Sequence, residues 1–165
     1  MMRVTAIVIC LATMLAAQAR RAPSFSLPDS TFKQYDILDY RGRWLLIDFM
    51  RTDCPHCKAL TKTLEEVRSK YKNKVAALSI VVPPENMSTV ARYITENKTT
   101  TPILFDSGQV AASYFNITPT HNGGFDTPHM FAVDPSGMIA GQWGQASADS
   151  GDWVKDLDQL MAGKK

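Results

Sequence analysis

Cysteine and histidine are scarce in this chain, three of each in 165 residues, and there is no second Cys-x-x-Cys. A disulfide-stapled scaffold needs more thiols, and a zinc site needs four ligands where the sequence offers one close cysteine pair, so neither organises the fold. Charge of one sign is also lacking. Eighteen Lys and Arg against 16 Asp and Glu give a formal net charge of +2 with no basic stripe, which argues against nucleic acid and anionic membrane surfaces as partners. The sequence has no internal repeats or low-complexity stretches, and no apolar run reaches the ~20 residues of a membrane span. What is there, 45% hydrophobic and 21% charged residues, is the composition of one globular domain with a sizeable core.

The N-terminus reads as a secretory signal. Arg3 precedes an apolar stretch from Val4 to Ala17, and Ala17-Gln18-Ala19 fits the small-x-small cleavage rule. The expected organisation is a signal peptide over residues 1–19 and one domain over residues 20–165, in the periplasm or otherwise exported; an uncleaved membrane anchor is the alternative. Arg20 and Arg21 follow the apolar region and so are not a twin-arginine signal. Cys10 falls inside the signal, which leaves Cys54 and Cys57 in the mature chain. A lone Cys-x-x-Cys in an oxidising compartment points to a working dithiol.

Context sharpens that reading. Leu45-Leu46-Ile47-Asp48-Phe49-Met50 is a buried-strand pattern, and Leu60, Leu64, Val67 and Tyr71 fall on one helical face. Cys54 then stands at a helix N-terminus, where unpaired N–H groups and the helix dipole favour a thiolate. Pro55 suits the first helical position. Cys57, three residues on, faces the same side and can close a disulfide with Cys54 or resolve a mixed disulfide on it. A partly charged His56 beside Cys54 would stabilise the thiolate and make the disulfide more oxidising, whereas Asp53 would oppose it by like-charge repulsion. Asp48 is costly to bury unless paired or protonated, and a raised pKa would suit it to deprotonate Cys57. His121 and His129 read as loop and strand-edge residues.

The remaining pattern is α/β. Ala22 to Asp29 reads as a short edge strand between prolines, Tyr40-Arg41-Gly42-Arg43 as a turn, and Trp44 to Met50 as a central strand covered on both faces. A helix from Cys54 to about Tyr71 leads to a strand over Val75 to Val82, a parallel pair with a right-handed crossover. A helix carrying Met87, Val90, Ala91 and Ile94 follows, then an extended Pro102 to Phe105, a short helix from Val110 to Phe115 and a long polar loop from Thr118 to Asp126. His129 to Val133, the turn Asp134-Pro135-Ser136-Gly137 and Met138 to Gly141 form a hairpin. Trp153, Val154, Leu157, Leu160 and Met161 define a terminal helix, with Gly163-Lys164-Lys165 as a solvated tail.

This order of elements resembles the thioredoxin fold, and more narrowly the exported TlpA/ResA-like branch of the AhpC/TSA (redoxin) superfamily. The residues that carry the likeness are Ala22-Pro23-Ser24-Phe25-Ser26-Leu27-Pro28-Asp29, Tyr40-Arg41-Gly42-Arg43, Ile47-Asp48-Phe49 ahead of Cys54, Thr127-Pro128, and Phe131-Ala132-Val133-Asp134-Pro135-Ser136-Gly137. The resemblance implies a central mixed β-sheet flanked by helices, with an N-terminal extension and a mid-chain insertion. It implies Cys54 as the attacking cysteine, Cys57 as the resolving one and Asp48 as the buried acid beside it. Pro128 matches the family's cis-proline, with the Thr127 backbone free to pair with a client strand.

The activity so implied is thiol–disulfide exchange with protein cysteines through a Cys54–Cys57 disulfide, without cofactor or metal, served by a membrane or thioredoxin-like electron partner. The surround resembles reductases, whereas the inter-cysteine pair Pro55-His56 is that of the oxidase DsbA. Asp53 stands where a Trp usually precedes the first cysteine. A copper-handling redoxin, using both thiolates and a histidine as soft donors, is a further alternative. A peroxidase needs Pro-x-x-x-Thr-x-x-Cys, which Asp48-Phe49-Met50-Arg51-Thr52-Asp53-Cys54 does not supply.

Overall fold

A computed structural model describes residues 20–121 and 123–163; the expected signal peptide, with Cys10, and the terminal Lys164-Lys165 lie outside them. The elements run in order β1 (Ser26–Pro28), β2 (Gln34–Asp36), a 3-10 turn (Ile37–Tyr40), β3 (Trp44–Phe49), α1 (Pro55–Tyr71), a second 3-10 turn (Lys72–Lys74), β4 (Val75–Val81), α2 (Met87–Asn97), β5 (Ile103–Phe105), α3 (Gln109–Phe115), β6 (His129–Val133), β7 (Ile139–Trp143), α4 (Gln145–Ser150) and α5 (Asp152–Gly163). Among the described residues no helix is long and apolar enough to cross a membrane.

The central sheet has the order β5-β4-β3-β6-β7. β3 is parallel to β4 and antiparallel to β6, so it sits in the middle with both edges paired. All six of its residues are buried, as an apolar run interrupted only by Asp48 demands of a strand covered on both faces. Alternation then sorts its side chains. Leu45, Ile47 and Phe49 join Phe25, Leu104, Tyr114 and Phe131 on one face, whereas Trp44 and Leu46 pack with Leu60, Leu64 and Val67 of α1 and with Trp153 and Leu157 of α5 on the other. Asp48, in phase with Leu46, therefore belongs to the face covered by α1.

Several expectations need correction. The strand drawn over Ala22 to Asp29 is only Ser26–Pro28, and it pairs with the unforeseen β2 in a separate two-stranded sheet; Pro23 and Pro28, lacking N–H groups, leave little ladder to build. The returning strand is Ile139–Trp143 rather than Met138 to Gly141, because Met138 is spent on the turn, where its N–H donates to the Asp134 carboxylate and its carbonyl accepts from the Asp134 N–H. Gly163 closes α5 instead of opening a tail. The short α4, closed by Gly151 at φ 74°, falls in a polar stretch with no apolar periodicity to announce it.

Candidate active site

At the C-terminal end of β3 the chain turns through Arg51, Thr52 and Asp53 and delivers Cys54 as the N-cap of α1. The Cys57 N–H donates to the Cys54 sulfur at 3.1 Å, so one of the orphan donors of the helix start is spent on that sulfur. Pro55 occupies the first turn, as expected. The Cys54 thiol is half-buried and points at the Thr127 carbonyl, 3.8 Å away, and the Thr127–Pro128 peptide bond is cis. Both cysteines are thiols. Cys57 is fully buried among Met50, Val81, Val90, Tyr93 and Ile103. Burial pushes its thiol far up, with the Cys54 contact and the charge of Asp48 acting the same way. The pair is thus asymmetric, an outer sulfur at a helix start and an inner one held protonated.

Asp48 is 0% exposed, and neither carboxylate oxygen has a hydrogen-bond partner. Burial alone raises its pKa to about 8. The expected charge balance around Cys54 is altered by two side-chain contacts. Asp53, placed to repel a Cys54 thiolate, is instead gripped by Arg51 at 3.0 and 2.9 Å. Arg51 holds its carboxyl below the usual range. His56 is exposed, and its Nδ1 lies 2.8 Å from the Asp149 carboxylate on α4.

A groove of about 650 Å3 opens beside Thr127 between Arg51, Pro83, Pro84, Ile117 and the Gly124-Phe125-Asp126 segment. A second, of about 550 Å3, shares that segment, with Phe115, Phe125 and His129 also in its lining. The Gly124-Phe125-Asp126 end of the polar loop read from the sequence thus lines both concavities, and Thr127 lines the first. His129 opens β6 as expected, with burial lowering its pKa; His121 is exposed, in the loop.

This arrangement can be set beside known proteins. The sequence profile of the AhpC/TSA family matches residues 19–142. The chain belongs to that family. It is similar to the thiol-disulfide oxidoreductase ResA of Bacillus thuringiensis, 23% identical over 123 residues that make up 74% of this chain and 67% of the relative. It is also similar to the thioredoxin-like protein YneN of Bacillus subtilis, 25% identical over 124 residues, 74% of this chain and 68% of that one. The thioredoxin domain of a thiol-disulfide oxidoreductase from Bacteroides vulgatus superposes with a TM-score of 0.64 at 18% identity, over 82% of this chain and 96% of that one, and this likeness makes the fold thioredoxin-like.

Within this AhpC/TSA member, the groups that position the site include several that the sequence did not reveal. Glu85 accepts from the Thr52 N–H at 2.9 Å and the Thr52 hydroxyl at 2.7 Å, and from the Thr89 hydroxyl at 2.6 Å. It therefore ties the turn before Cys54 to the start of α2. The parallel pairing of β3 with β4 was a usable signal, because with Phe49 opposite Ile80 the segments following both strands emerge side by side. Nothing in the sequence tied Asp149 to His56 or Tyr93 to Thr61, which meet only through packing.

Proposed function

We propose that this chain is an exported thiol–disulfide oxidoreductase that reduces disulfides in client proteins. The carrying observation is the half-buried Cys54 sulfur at the start of α1, receiving the Cys57 N–H and facing the Thr127 carbonyl. That geometry exposes one sulfur to a partner and keeps the second within one helical turn. The named relatives, a ResA and a thioredoxin-like protein, support the same reaction class. The proposal of export rests on the apolar stretch and Ala17-Gln18-Ala19 of the N-terminal sequence.

In this mechanism the Cys54 thiolate attacks a client disulfide, one client sulfur leaves as thiolate, and a mixed disulfide forms. Cys57 then passes its proton to the Asp48 carboxylate and attacks the Cys54 sulfur. The Cys54–Cys57 bond forms as the bond to the client breaks, so two electrons have moved from the dithiol to the client. The Thr127 backbone, beside Cys54, offers hydrogen-bonding groups to an extended client segment, and the flanking grooves receive its side chains. An external dithiol, membrane-bound or thioredoxin-like, must then reduce the enzyme again.

The reductive direction is favoured by the engagement of the His56 ring, whose Nδ1 is hydrogen-bonded with the Asp149 carboxylate at 2.8 Å and is thereby not available to the Cys54 sulfur. The copper alternative requires a histidine beside both thiols, and among the described residues no group of three or more His, Cys, Asp or Glu side chains is arranged to hold a metal. Equilibration of the mature protein against defined thiol buffers tests the direction. A potential near thioredoxin's, ~−270 mV, fits a reductase, and one near DsbA's, ~−120 mV, overturns it. The roles of the two sulfurs have their own test. Cys54→Ser is expected to abolish exchange and Cys57→Ser to accumulate mixed disulfides with clients, seen on non-reducing gels; intact turnover by Cys57→Ser would remove its resolving role.

A further inference from the structure

Thr61 lies one helical turn beyond Cys57 on α1, and Tyr93 meets it from α2; both are buried. The Thr61 hydroxyl donates to the Cys57 carbonyl at 2.9 Å, and its oxygen is 2.7 Å from the Tyr93 hydroxyl. A threonine has one hydroxyl proton. With that proton on the Cys57 carbonyl, the second contact has a single polarity, in which Tyr93 donates and Thr61 accepts. The result is a directed chain from the Tyr93 O–H through the Thr61 O–H to the main chain of the residue that carries the inner sulfur. Tyr93 also packs in the apolar cluster around Cys57, with Cys54 at its margin.

Stability alone gives this pair a weak rationale. A threonine hydroxyl bonded back to the carbonyl four residues earlier tends to loosen and bend a helix rather than strengthen it, and hydroxyls buried in an apolar cluster are costly unless bonded to each other. Phe at position 93 and Val at position 61 would fill nearly the same space with no polar group to satisfy. The distinctive product of the chain is geometric, since it fixes the first turn of α1 against α2 at Cys57.

We infer that Tyr93 and Thr61 are positioning residues for the dithiol, anchoring the Cys57 main chain so that its sulfur is held ready to close onto Cys54. This rests on the oxidoreductase reading above. In the closing step the Cys57 thiolate displaces the partner sulfur from Cys54; one S–S bond forms as another breaks, the partner leaves as a thiolate, and the Cys57 proton has gone to the Asp48 carboxylate. Tyr93 and Thr61 exchange no proton in that step and act through the Cys57 backbone. Burial, reinforced by the nearby Asp48, Cys57 and Cys54, pushes the Tyr93 phenol to about 12, so it remains a neutral donor throughout.

The test is equilibration with defined mixtures of reduced and oxidised glutathione, acid quench, and quantification by mass of the dithiol, the Cys54–glutathione mixed disulfide and the Cys54–Cys57 disulfide. The concentration of intramolecular disulfide times that of reduced glutathione, divided by that of mixed disulfide, is the effective concentration of the Cys57 thiol. It is expected to fall about fivefold in Tyr93→Phe and in Thr61→Val, the equivalent of one buried hydrogen-bonded unit of ~1 kcal/mol. The double variant is expected to fall no further, because the two hydroxyls act as one chain. Thr61→Ser, which keeps the hydroxyl, should retain the wild-type value. Urea unfolding of the same proteins separates the two roles. An unchanged effective concentration with reduced stability, or losses that add in the double variant, overturns the inference. A wild-type protein that forms no disulfide at any glutathione ratio overturns instead the oxidoreductase reading beneath it.

Discussion

At the scale of single residues, Asp48 carries opposing demands. Its carboxyl is wholly buried, unpartnered and raised to about 8, whereas in the unfolded chain it titrates near 3.8. The native state therefore binds one more proton than the unfolded state between those values, and stability falls as pH rises through that window. Asp48→Asn removes the titration. The variant is expected to be more stable than the parent by on the order of 3 kcal/mol at pH 7, with the difference vanishing below pH ~4; urea unfolding at pH 4 and pH 8 measures it. The same variant should be slower in resolution. With Asp48 as base, the wild-type rate rises between pH ~7 and ~8.5 as the carboxylate forms, and Asn should flatten that rise in stopped-flow reaction with a model disulfide. A variant neither more stable nor flatter in pH response would take Asp48 out of the mechanism. Asp48 was legible in the sequence because a lone acid inside an apolar run has few explanations. Glu85 and Asp149 were not, because an acid in a polar stretch looks the same whether or not it contacts the segment around Cys54.

At the scale of elements, α1 must keep its start aimed at Thr127, and its far half is secured by Glu65. That carboxylate accepts from the hydroxyls of Thr99, Thr100 and Thr101 at 2.7, 2.7 and 2.8 Å and from the Thr100 and Thr101 N–H groups at 2.8 and 2.6 Å, with Arg68 at 3.1 Å. Burial works against the charge, and the hydrogen bonds of Thr100, Thr99 and Thr101 outweigh it, holding the pKa at about 2. Glu65→Gln exchanges an acceptor oxygen for a donor and is expected to cost ~1–2 kcal/mol after allowance for partial exposure. The folded pKa is depressed from 4.5. The contribution is thus present above pH 4.5 and disappears as pH falls toward 2, so wild type and variant should converge in urea unfolding between pH 5 and pH 2.5. Exchange at Cys54 should be unaffected, since the clasp lies below the site; a large rate loss would mean that Glu65 sets the position of the N-terminus too. The extent of α1 was readable from its apolar face and the proline at its start. The clasp was not, since it joins α1 to the threonine run between α2 and β5 across tertiary space, and β2 and α4 are too short to carry a periodic signal.

At the scale of the whole molecule, the strand–helix–strand order, with a buried run for β3 and turn chemistry at Asp134-Pro135-Ser136-Gly137, was enough to anticipate a parallel pair beside an antiparallel hairpin. That sheet fixes where the Cys54 end of α1 and the Thr127–Pro128 loop meet, because β3 and β6 are antiparallel neighbours, with Phe49 opposite His129. The direction of electron flow is not a property of topology. It is a difference in stability between two redox forms of the same fold. A cycle linking folding and reduction makes the oxidised protein more stable by ~1.4 kcal/mol for each ~30 mV by which the native potential lies below that of the dithiol in the unfolded chain. The helix start and the N–H donated to Cys54 favour the thiolate and so the reduced form. Against them stand an inner sulfur whose burial disfavours its thiolate and an unpartnered buried acid beside it, together with a His56 ring engaged by Asp149 instead of by Cys54. On this balance the oxidised protein should unfold at higher urea concentration than the reduced protein, measured on the same preparation with and without a strong dithiol reductant. The opposite order would mean that the fold stabilises its dithiol as an oxidase does, and His56 and Asp149 would then be the first pair to exchange for neutral residues.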